Sequence, residues 1–504
     1  MQSATLTRPR AMPAAASWPW PTIGFGVLCL AALVAFLVYP TYPNYDSYYS
    51  MLWGRELLDG HLPVYEAYRA PTPHPAATLV GAIISPLGHH AERLWIFLCV
   101  VSFVWLVVGV YRLTREAFTP LVGLVAGLLV CTRFDFPFYA ARGYIDIAYM
   151  AFVVWAAVLE QRSPRRGLPV FLLLGIAGTL RPEAWVMAGL YWLWMSWKAT
   201  WGERVRFAAY AAIGPVVWVG TDWIVTGQPL YSLTYTSNFA EELGRSKSSG
   251  DLPMAIWGFL VKLDKFPVLA GGIAGLALAA YLVPRRIVWP FTLLAVGIGT
   301  FFLVGLGGFS VIDRYLLVAS MMVMVFAAVA IGGWTMLEPG TRPRKLWAVA
   351  ALLLVLYGAY FSATRVNFTR LDNELTFRGQ AHAALHDVLS APAVQRALDR
   401  GCGPVTVPNH KLIPDVRWIQ DLPDGQVLAY SETLREPEND TDARKIARVD
   451  QRMRAGGVQI IPHERVALFR HALVNDTDDP VTVIPLPGFQ RVAVSEYYAA
   501  YVRC

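Results

Sequence analysis

The chain has 504 residues, is 55% hydrophobic and only 16% charged, and carries a net charge of +7. Soluble globular domains carry about 25% charge, so the composition excludes a soluble enzyme and points to an integral membrane protein. The positive excess falls in short loops between apolar runs, where it reads as a topology signal and not as a nucleic-acid surface.

Residues 1–21, with Arg8 and Arg10, are polar and Ala/Pro-rich and read as a disordered cytoplasmic N-terminus. The first apolar run, Thr22–Tyr39, is followed by YPTYPNYD without a small-residue cleavage site, so it reads as a retained anchor. Further apolar runs are Leu94–Tyr111, Leu121–Cys131, Ile145–Leu159, Leu168–Leu180, Ala184–Trp197, Phe207–Val225, Phe266–Leu282, Val288–Leu306, Leu316–Trp334 and Leu346–Ser362. This makes eleven expected spans, two of them well short of the ~20 residues a bilayer needs. The stretch Thr226–Lys265 reads as a polar loop, and Ala76–Leu87 as a short interfacial helix. Basic clusters at Arg112/Arg115, Arg162/Arg165/Arg166, Lys198/Arg204/Arg206, Arg285/Arg286 and Arg342–Lys345 follow every second span. That repeated asymmetry predicts an N-in, C-out topology.

A transmembrane domain is therefore expected over 22–363 and an extracytoplasmic domain over 364–504, in a multi-pass protein of the plasma (inner) membrane. In the tail, Phe377–Arg400 has a helical pattern, and PVTVP, QVLAY, GVQIIP and VTVIPLP read as short strands. Roughly 140 residues suffice for one small α/β or α+β module. Cys29, Cys99 and Cys131 fall in apolar runs and read as buried hydrophobes. Cys402 and Cys504 lie in the tail, where a disulfide and two free thiols are both open readings. Asn367, Asn439 and Asn475 sit in N-x-T sequons, which carry little weight without a secretory context. His410 and His463 read as ordinary surface residues.

The chemistry concentrates in the first outer loop, 40–92, and above all in Tyr42–Pro75. Tyr42, Tyr45, Tyr48, Tyr49 and Trp53 surround one early carboxylate, Asp46, and Arg69 and His74 follow. On the same expected side lie Asp135, Arg142, Asp146, Arg181, Glu183, Asp222, Glu241, Glu242, Arg245, Asp313 and Arg314. Carboxylates and arginines gathered at one end of several spans imply a polar cavity open to that side. Sugar transfer from a lipid-phosphate donor would use them. A carboxylate takes the acceptor's proton, and arginine forks bind the phosphate that leaves.

In that reading Asp46 is the base. Arg69, His74, Arg181 and Arg314 bind the donor phosphate, while Asp135, Asp146 or Glu183 orients the acceptor or binds a divalent metal (Mg, Mn or Ca). Tyr45, Tyr48, Tyr49 and Trp53 offer faces for sugar stacking. The plainer alternatives are Asp46 as the N-cap of a helix starting near Ser47, Asp146 as a helix-dipole charge, Arg181-Pro182-Glu183 as a salt-bridged turn and Arg314 as an interfacial anchor. Glu241, Glu242 and Arg245 read as a solvated loop face.

The early Asp46, the basic Pro-containing run RAPTPHP (Arg69–Pro75), a second acid at Asp135 or Asp146 and the pair Arg314-Tyr315 resemble the GT-C superfamily of membrane glycosyltransferases. Among its groups are protein O-mannosyltransferases, lipid A aminoarabinose transferases and mycobacterial mannosyl- and arabinosyltransferases. The resemblance covers Thr22 to about Ser362. Ser47 stands where the O-mannosyltransferases have a second acid, and His74-Pro75 where the aminoarabinose group has Lys-Pro-Pro. The resemblance implies a polyprenyl-phosphate sugar donor, an inverting reaction and a cell-envelope glycan, lipid or protein acceptor. Mannose or arabinose is favoured by the high-GC residue usage. A lipid-linked-sugar transporter or flippase and a non-catalytic scaffold are the competing classes. The first would want midplane charges and repeated halves, and neither is seen.

Overall fold

The computed structural model describes residues 20–242, 244–245, 248–437, 439–463 and 484–504. The expected disordered N-terminus (but for its last two residues), the Asn475 sequon and residues 481–483 of the VTVIPLP strand lie outside the described residues.

The first apolar run forms α1 (Trp20–Val38), followed by α2 (Tyr45–Leu58) and α3 (Pro75–Ile84), which lie in the first loop. Pro75 opens α3 at its first turn, where no backbone donor is lost. A bundle follows: α4 (His90–Ala117), α5 (Pro120–Thr132), α6 (Asp135–Ala141), α7 (Asp146–Arg162), α8 (Leu168–Leu180), α9 (Glu183–Ser196), α10 (Trp201–Ala211) and α11 (Ile213–Thr226). Then come α12 (Tyr231–Glu242), α13 (Leu252–Leu282), α14 (Val288–Leu306), α15 (Leu317–Gly332) and α16 (Arg342–Arg365).

Six of the described helices are long and apolar enough to cross a membrane, or eight if each of two bent pairs, α5/α6 and α10/α11, is one span. The eleven expected spans exceed this by α7, α8 and α9, which have only 17, 13 and 14 residues. Such helices fall short of the ~30 Å hydrocarbon core. The window of α15 is 94% buried and that of α1 is 0% buried. The first is therefore the core of the bundle, and the second, apolar on all sides, faces lipid. α15 packs on α5, α13, α14 and α16. A Cβ at Gly275 of α13 would stand 1.8 Å from the Phe326 carbonyl of α15, so the two backbones touch.

Two sequence expectations are corrected here. The polar loop 226–265 contains α12 and the first half of α13. The expected span Phe266–Leu282 is only the second half of α13, beyond a kink where Lys265 takes φ 63° next to Pro267. Pro267 cannot donate to the preceding turn, which breaks the ladder at that point.

The tail builds α17 (Arg370–Leu389), α18 (Pro392–Asp399), α19 (Ile413–Ile419) and α20 (Asp440–Ala455) around a five-stranded sheet. The strands are β1 (Val405–Val407), β2 (Val427–Ala429), β3 (Gly457–Pro462), β4 (Gln490–Val494) and β5 (Tyr498–Arg503), in the order β2-β1-β3-β5-β4. β1 pairs parallel with β2 and β3, whereas β5 pairs antiparallel with β3 and β4. Three of the expected strands are present. β4 and β5 were missed, and residues 484–487 of VTVIPLP form no strand. The expected helix 377–400 is two helices, because Pro392 starts a new one. Cys402 and Cys504 form a disulfide across a sequence separation of 102 residues, tying the C-terminus to the start of β1.

This domain is docked on the first loop. Arg417, 1% exposed, donates to Glu56 Oε1 of α2 at 2.7 Å and also lies 3.2 Å from Asp424. Arg55 of α2 pairs with Asp421 at 2.5 Å.

Candidate active site

A cavity of about 490 Å³ lies between the first loop, one end of the bundle helices and the C-terminal domain. Its geometry starts with α2. The Asn44 side chain accepts from the Ser47 backbone N–H at 3.0 Å and is the N-cap. This corrects the capping alternative for Asp46. With the cap supplied two residues earlier, the Asp46 carboxylate is left to face the cavity. α2 is fixed against α3 by close backbone approach. A Cβ on Gly54 would lie 2.2 Å from the Ala82 nitrogen, and one on Gly81 2.4 Å from the Ser50 carbonyl. The other side of the loop is pinned to 141–144. Ser47 Oγ donates to the Gly143 carbonyl at 2.6 Å, and Arg142 Nη1 donates to the Tyr42 carbonyl at 2.7 Å with its guanidinium 3.7 Å from the Tyr42 ring centroid.

Four charged side chains from four separate segments meet. Arg314 Nη1 donates to Asp46 Oδ2 at 3.0 Å, and Arg314 Nε lies 3.9 Å from Asp146 Oδ1. Arg181 Nη2 donates to the same Asp146 oxygen. Asp146 is thus a buried counter-ion behind two arginines, which meets the dipole alternative halfway: it opens α7, yet its partners are tertiary. Arg181 pairs with Asp146 and not with Glu183, so the salt-bridged-turn reading is corrected, although Pro182 does lead into α9. Glu183 Oε2, Asp146 Oδ2 and Arg314 Nε are buried without a hydrogen-bond partner in the chain. Buried polar atoms of this kind ask for a ligand or water.

His74 lines the same cavity, 6% exposed, its ring edge-on to Trp218 at 5.5 Å. Burial, with Arg181 and Arg314 nearby, pulls its pKa down to about 3, so it is a neutral imidazole at physiological pH.

Other expected residues lie elsewhere. Arg69 does not line the cavity. It takes φ 51°, its guanidinium sits 5.5 Å from the Tyr68 ring centroid, and its carbonyl accepts from Tyr45 Oη at 2.5 Å. Tyr48, Tyr49 and Trp53 are fully buried packing residues, and of the four aromatic candidates Tyr45 alone lines the cavity. Asp135 is not among the lining residues either. Asp222 is a structural anchor, accepting from the Ser232 backbone N–H and hydroxyl.

Sequence reasoning missed the far wall. Arg378, His410, Lys411 and Asp415 of the C-terminal domain line the cavity, as do Tyr144, Arg142, which the sequence placed on this side, and Arg245, which it read as part of a solvated loop face. His410 is 4% exposed and edge-on to Tyr45 at 5.5 Å, so it is no surface residue, whereas His463 is exposed. Nothing in the local sequence marks His410, because only domain docking brings it there. The described lining holds six cations (Arg142, Arg181, Arg245, Arg314, Arg378, Lys411) and three carboxylates (Asp46, Glu183, Asp415). That excess suits an anion. Trp185, Val186, Trp218, Leu303, Val304 and Phe309 form an apolar wall beside it. Two guanidinium groups around Asp146 oppose a further cation there, so this donor set does not suit a divalent metal at Asp146.

No family model matches the chain, and no curated protein matches it. Solved structures do. ArnT from Cupriavidus metallidurans bound to undecaprenyl phosphate aligns over 97% of this chain and 98% of its own, with a TM-score of 0.55 and 13% identity. The Archaeoglobus fulgidus oligosaccharyltransferase tethered to an acceptor peptide aligns over 96% of this chain and 74% of its own, with a TM-score of 0.51 and 13% identity. The archaeal oligosaccharyltransferase AglB from Archaeoglobus fulgidus, in complex with an inhibitory peptide and a dolichol-phosphate, aligns over 90% and 70%, with a TM-score of 0.53 and 13% identity. These neighbours are GT-C glycosyltransferases, and the fold of this integral membrane chain is the GT-C fold. A C-terminal domain built on a small sheet completes it.

Proposed function

We propose that this protein is an inverting membrane glycosyltransferase that moves a sugar from a polyprenyl-phosphate donor to an extracytoplasmic cell-envelope acceptor. The observation that carries this function is the Asp46–Arg314 pair at 3.0 Å on the wall of a cation-rich cavity flanked by apolar side chains. The apolar wall suits a polyprenyl chain and the guanidinium groups suit its phosphate. The lipid phosphates bound by the ArnT and AglB neighbours support the donor class.

Asp46 takes the proton from the acceptor hydroxyl as its oxygen bonds to the anomeric carbon. The carbon–oxygen bond to phosphate breaks on the opposite face, which inverts the centre. Arg314 and Arg181 stabilise the departing polyprenyl phosphate, Asp146 holds both arginines in place, and neutral His74 offers a hydrogen bond without adding charge. Tyr45 is the stacking face for a sugar. The basic clusters noted in the sequence support an N-in topology in the plasma (inner) membrane, with cavity and C-terminal domain outside. Mannose or arabinose is the proposed sugar.

The test is transfer of radiolabelled sugar from polyprenyl-phosphate donors to envelope fractions, comparing wild type with Asp46→Asn at matched membrane expression. Transfer by the wild type that is lost in Asp46→Asn supports the assignment. Transfer that survives the substitution keeps the enzyme class and removes Asp46 as the base. No transfer from any donor to any envelope acceptor removes the class.

A further inference from the structure

Outside the proposed active site, three ligand-type side chains converge where the bundle meets the C-terminal domain. His382 and His386 lie one turn apart on α17, so both imidazoles project from the same face. Glu92, in the first turn of α4, comes from the other body. The metal-ligating atoms of the three lie within 4.8 Å of one another. The two Nε2 atoms are 3.2 Å apart, and Glu92 Oε2 is 3.5 Å from His382 Nε2.

The two imidazoles aim the same nitrogen at one point, which Tyr48 Oη also approaches at 3.4 Å from His382 Nε2, and Glu92 Oε1 is buried with no hydrogen-bond partner. A cation at the focus resolves both facts. The surroundings are those of a prepared ligand set. On the opposite edge of His382, Asp415 Oδ1 lies 4.0 Å from Nδ1, beyond hydrogen-bond distance, and both atoms are buried without a hydrogen-bond partner. The Tyr42 ring stacks on the His382 ring at 4.0 Å, with an angle of 7° between planes. A further, exposed imidazole, His89, has its ring 6.1 Å from that of His386.

We propose that Glu92, His382 and His386 form a zinc-class metal site that clasps the C-terminal domain to the membrane bundle. Two imidazoles and one carboxylate suit Zn²⁺, whereas Mg²⁺ and Ca²⁺ want an all-oxygen shell. His89 or water completes the tetrahedron. The clasp borders the cavity: Tyr42, stacked on His382, and Asp415, on its opposite edge, both line it. The metal therefore sets the position of a cavity wall and takes no part in bond making.

The test uses the full-length protein in detergent, with any affinity tag removed, stripped by a chelator and titrated with Zn²⁺ against a chromophoric competitor. Co²⁺ serves as a spectroscopic stand-in. The expected result is one equivalent bound, tetrahedral Co²⁺ absorption, and an apparent melting temperature raised by zinc. His386→Ala, at a half-buried position that perturbs folding least, weakens binding by at least about 10-fold. His463→Ala, an exposed imidazole away from the cluster, leaves it unchanged. Wild-type protein that binds no zinc, or binds it equally well in His386→Ala, overturns the site and leaves a proton-shared His/Glu cluster. The wild-type titration decides even if a variant fails to fold. Neither readout depends on sugar transfer, so the zinc site and the transferase assignment are tested separately.

Discussion

Arg314 donates to Asp46 across 268 residues of sequence, at 3.0 Å, and thereby joins the opening of α15 to the first turn of α2. The pair is partly exposed to the cavity, with the Arg314 and Asp46 side chains 18% and 22% accessible. In the proposed reaction, a guanidinium in this position would serve two anions in turn, the Asp46 carboxylate before reaction and the phosphate during it. Arg314→Met is expected to lower kcat/KM by about 100-fold or more, and Arg314→Lys to recover only part of the loss because the fork is gone. Steady-state transfer kinetics check this. Unchanged kcat/KM in Arg314→Met would remove Arg314 from the phosphate site.

Asp146 and Arg181 are a different case, with side chains only 5% and 7% accessible. Removing Arg181 leaves the buried Asp146 with only Arg314 Nε, 3.9 Å away, as its counter-ion. Arg181→Met is therefore expected to destabilise the protein by about 3–5 kcal/mol, and the double change Arg181→Met with Asp146→Leu to cost less than either single change alone. Apparent melting temperatures of the three variants in detergent measure the coupling. Additive effects would mean that the two side chains do not act as a pair.

His74 gives a pH signature. Its folded pKa, about 3, lies below the unfolded value near 6.5, held down by burial and by Arg181 and Arg314, while Asp146 acts in the opposite direction. Below pH 6.5 the unfolded chain gains a proton that the folded chain refuses, so acidification subtracts stability, by about 2 kcal/mol at pH 5. His74→Asn is expected to flatten the melting curve's pH dependence between pH 6.5 and 4. An identical dependence in wild type and variant would place the titrating group elsewhere.

The Cys402–Cys504 bridge closes a loop spanning most of the C-terminal domain. Its loss in Cys504→Ser is expected to cost that domain about 2–4 kcal/mol. Non-reducing peptide mapping detects the bridge, and limited proteolysis reports the loosened domain. Equal protease resistance with and without the bridge would count against its stabilising role.

Gly81→Val tests how Asp46 is positioned. With the Gly81 Cβ direction only 2.4 Å from the Ser50 carbonyl, any side chain pushes α2 off α3. Transfer is expected to fall by about 10-fold or more even in protein that still folds. Full activity would show that the reaction tolerates a shifted α2.

Composition and apolar periodicity were enough to read a membrane bundle, most helix positions, the short helix after Pro75 and a separate mixed domain. These are local properties: a run of Leu, Val and Ala partitions into lipid wherever the chain leads. Asp46, Asp146, Arg181, His74 and Arg314 were legible as polar residues at the ends of apolar runs, where burial of charge is costly. The remaining features depend on contacts far apart in sequence. Asn44 took the cap that Asp46 was suited for. Arg69, Tyr48, Tyr49 and Trp53 turned inward to pack, and the α13 kink was hidden in a stretch that looked like loop. His410, Lys411, Arg378 and the His382/His386 pair joined the site region through docking of α17 and α19 on the first loop. The sequence by itself determined which segments leave water and which side chains are too polar to do so. The tertiary structure decided which of those polar groups meet, because an ion pair across 268 residues is chosen by the packing of whole helices and not by anything adjacent to Asp46.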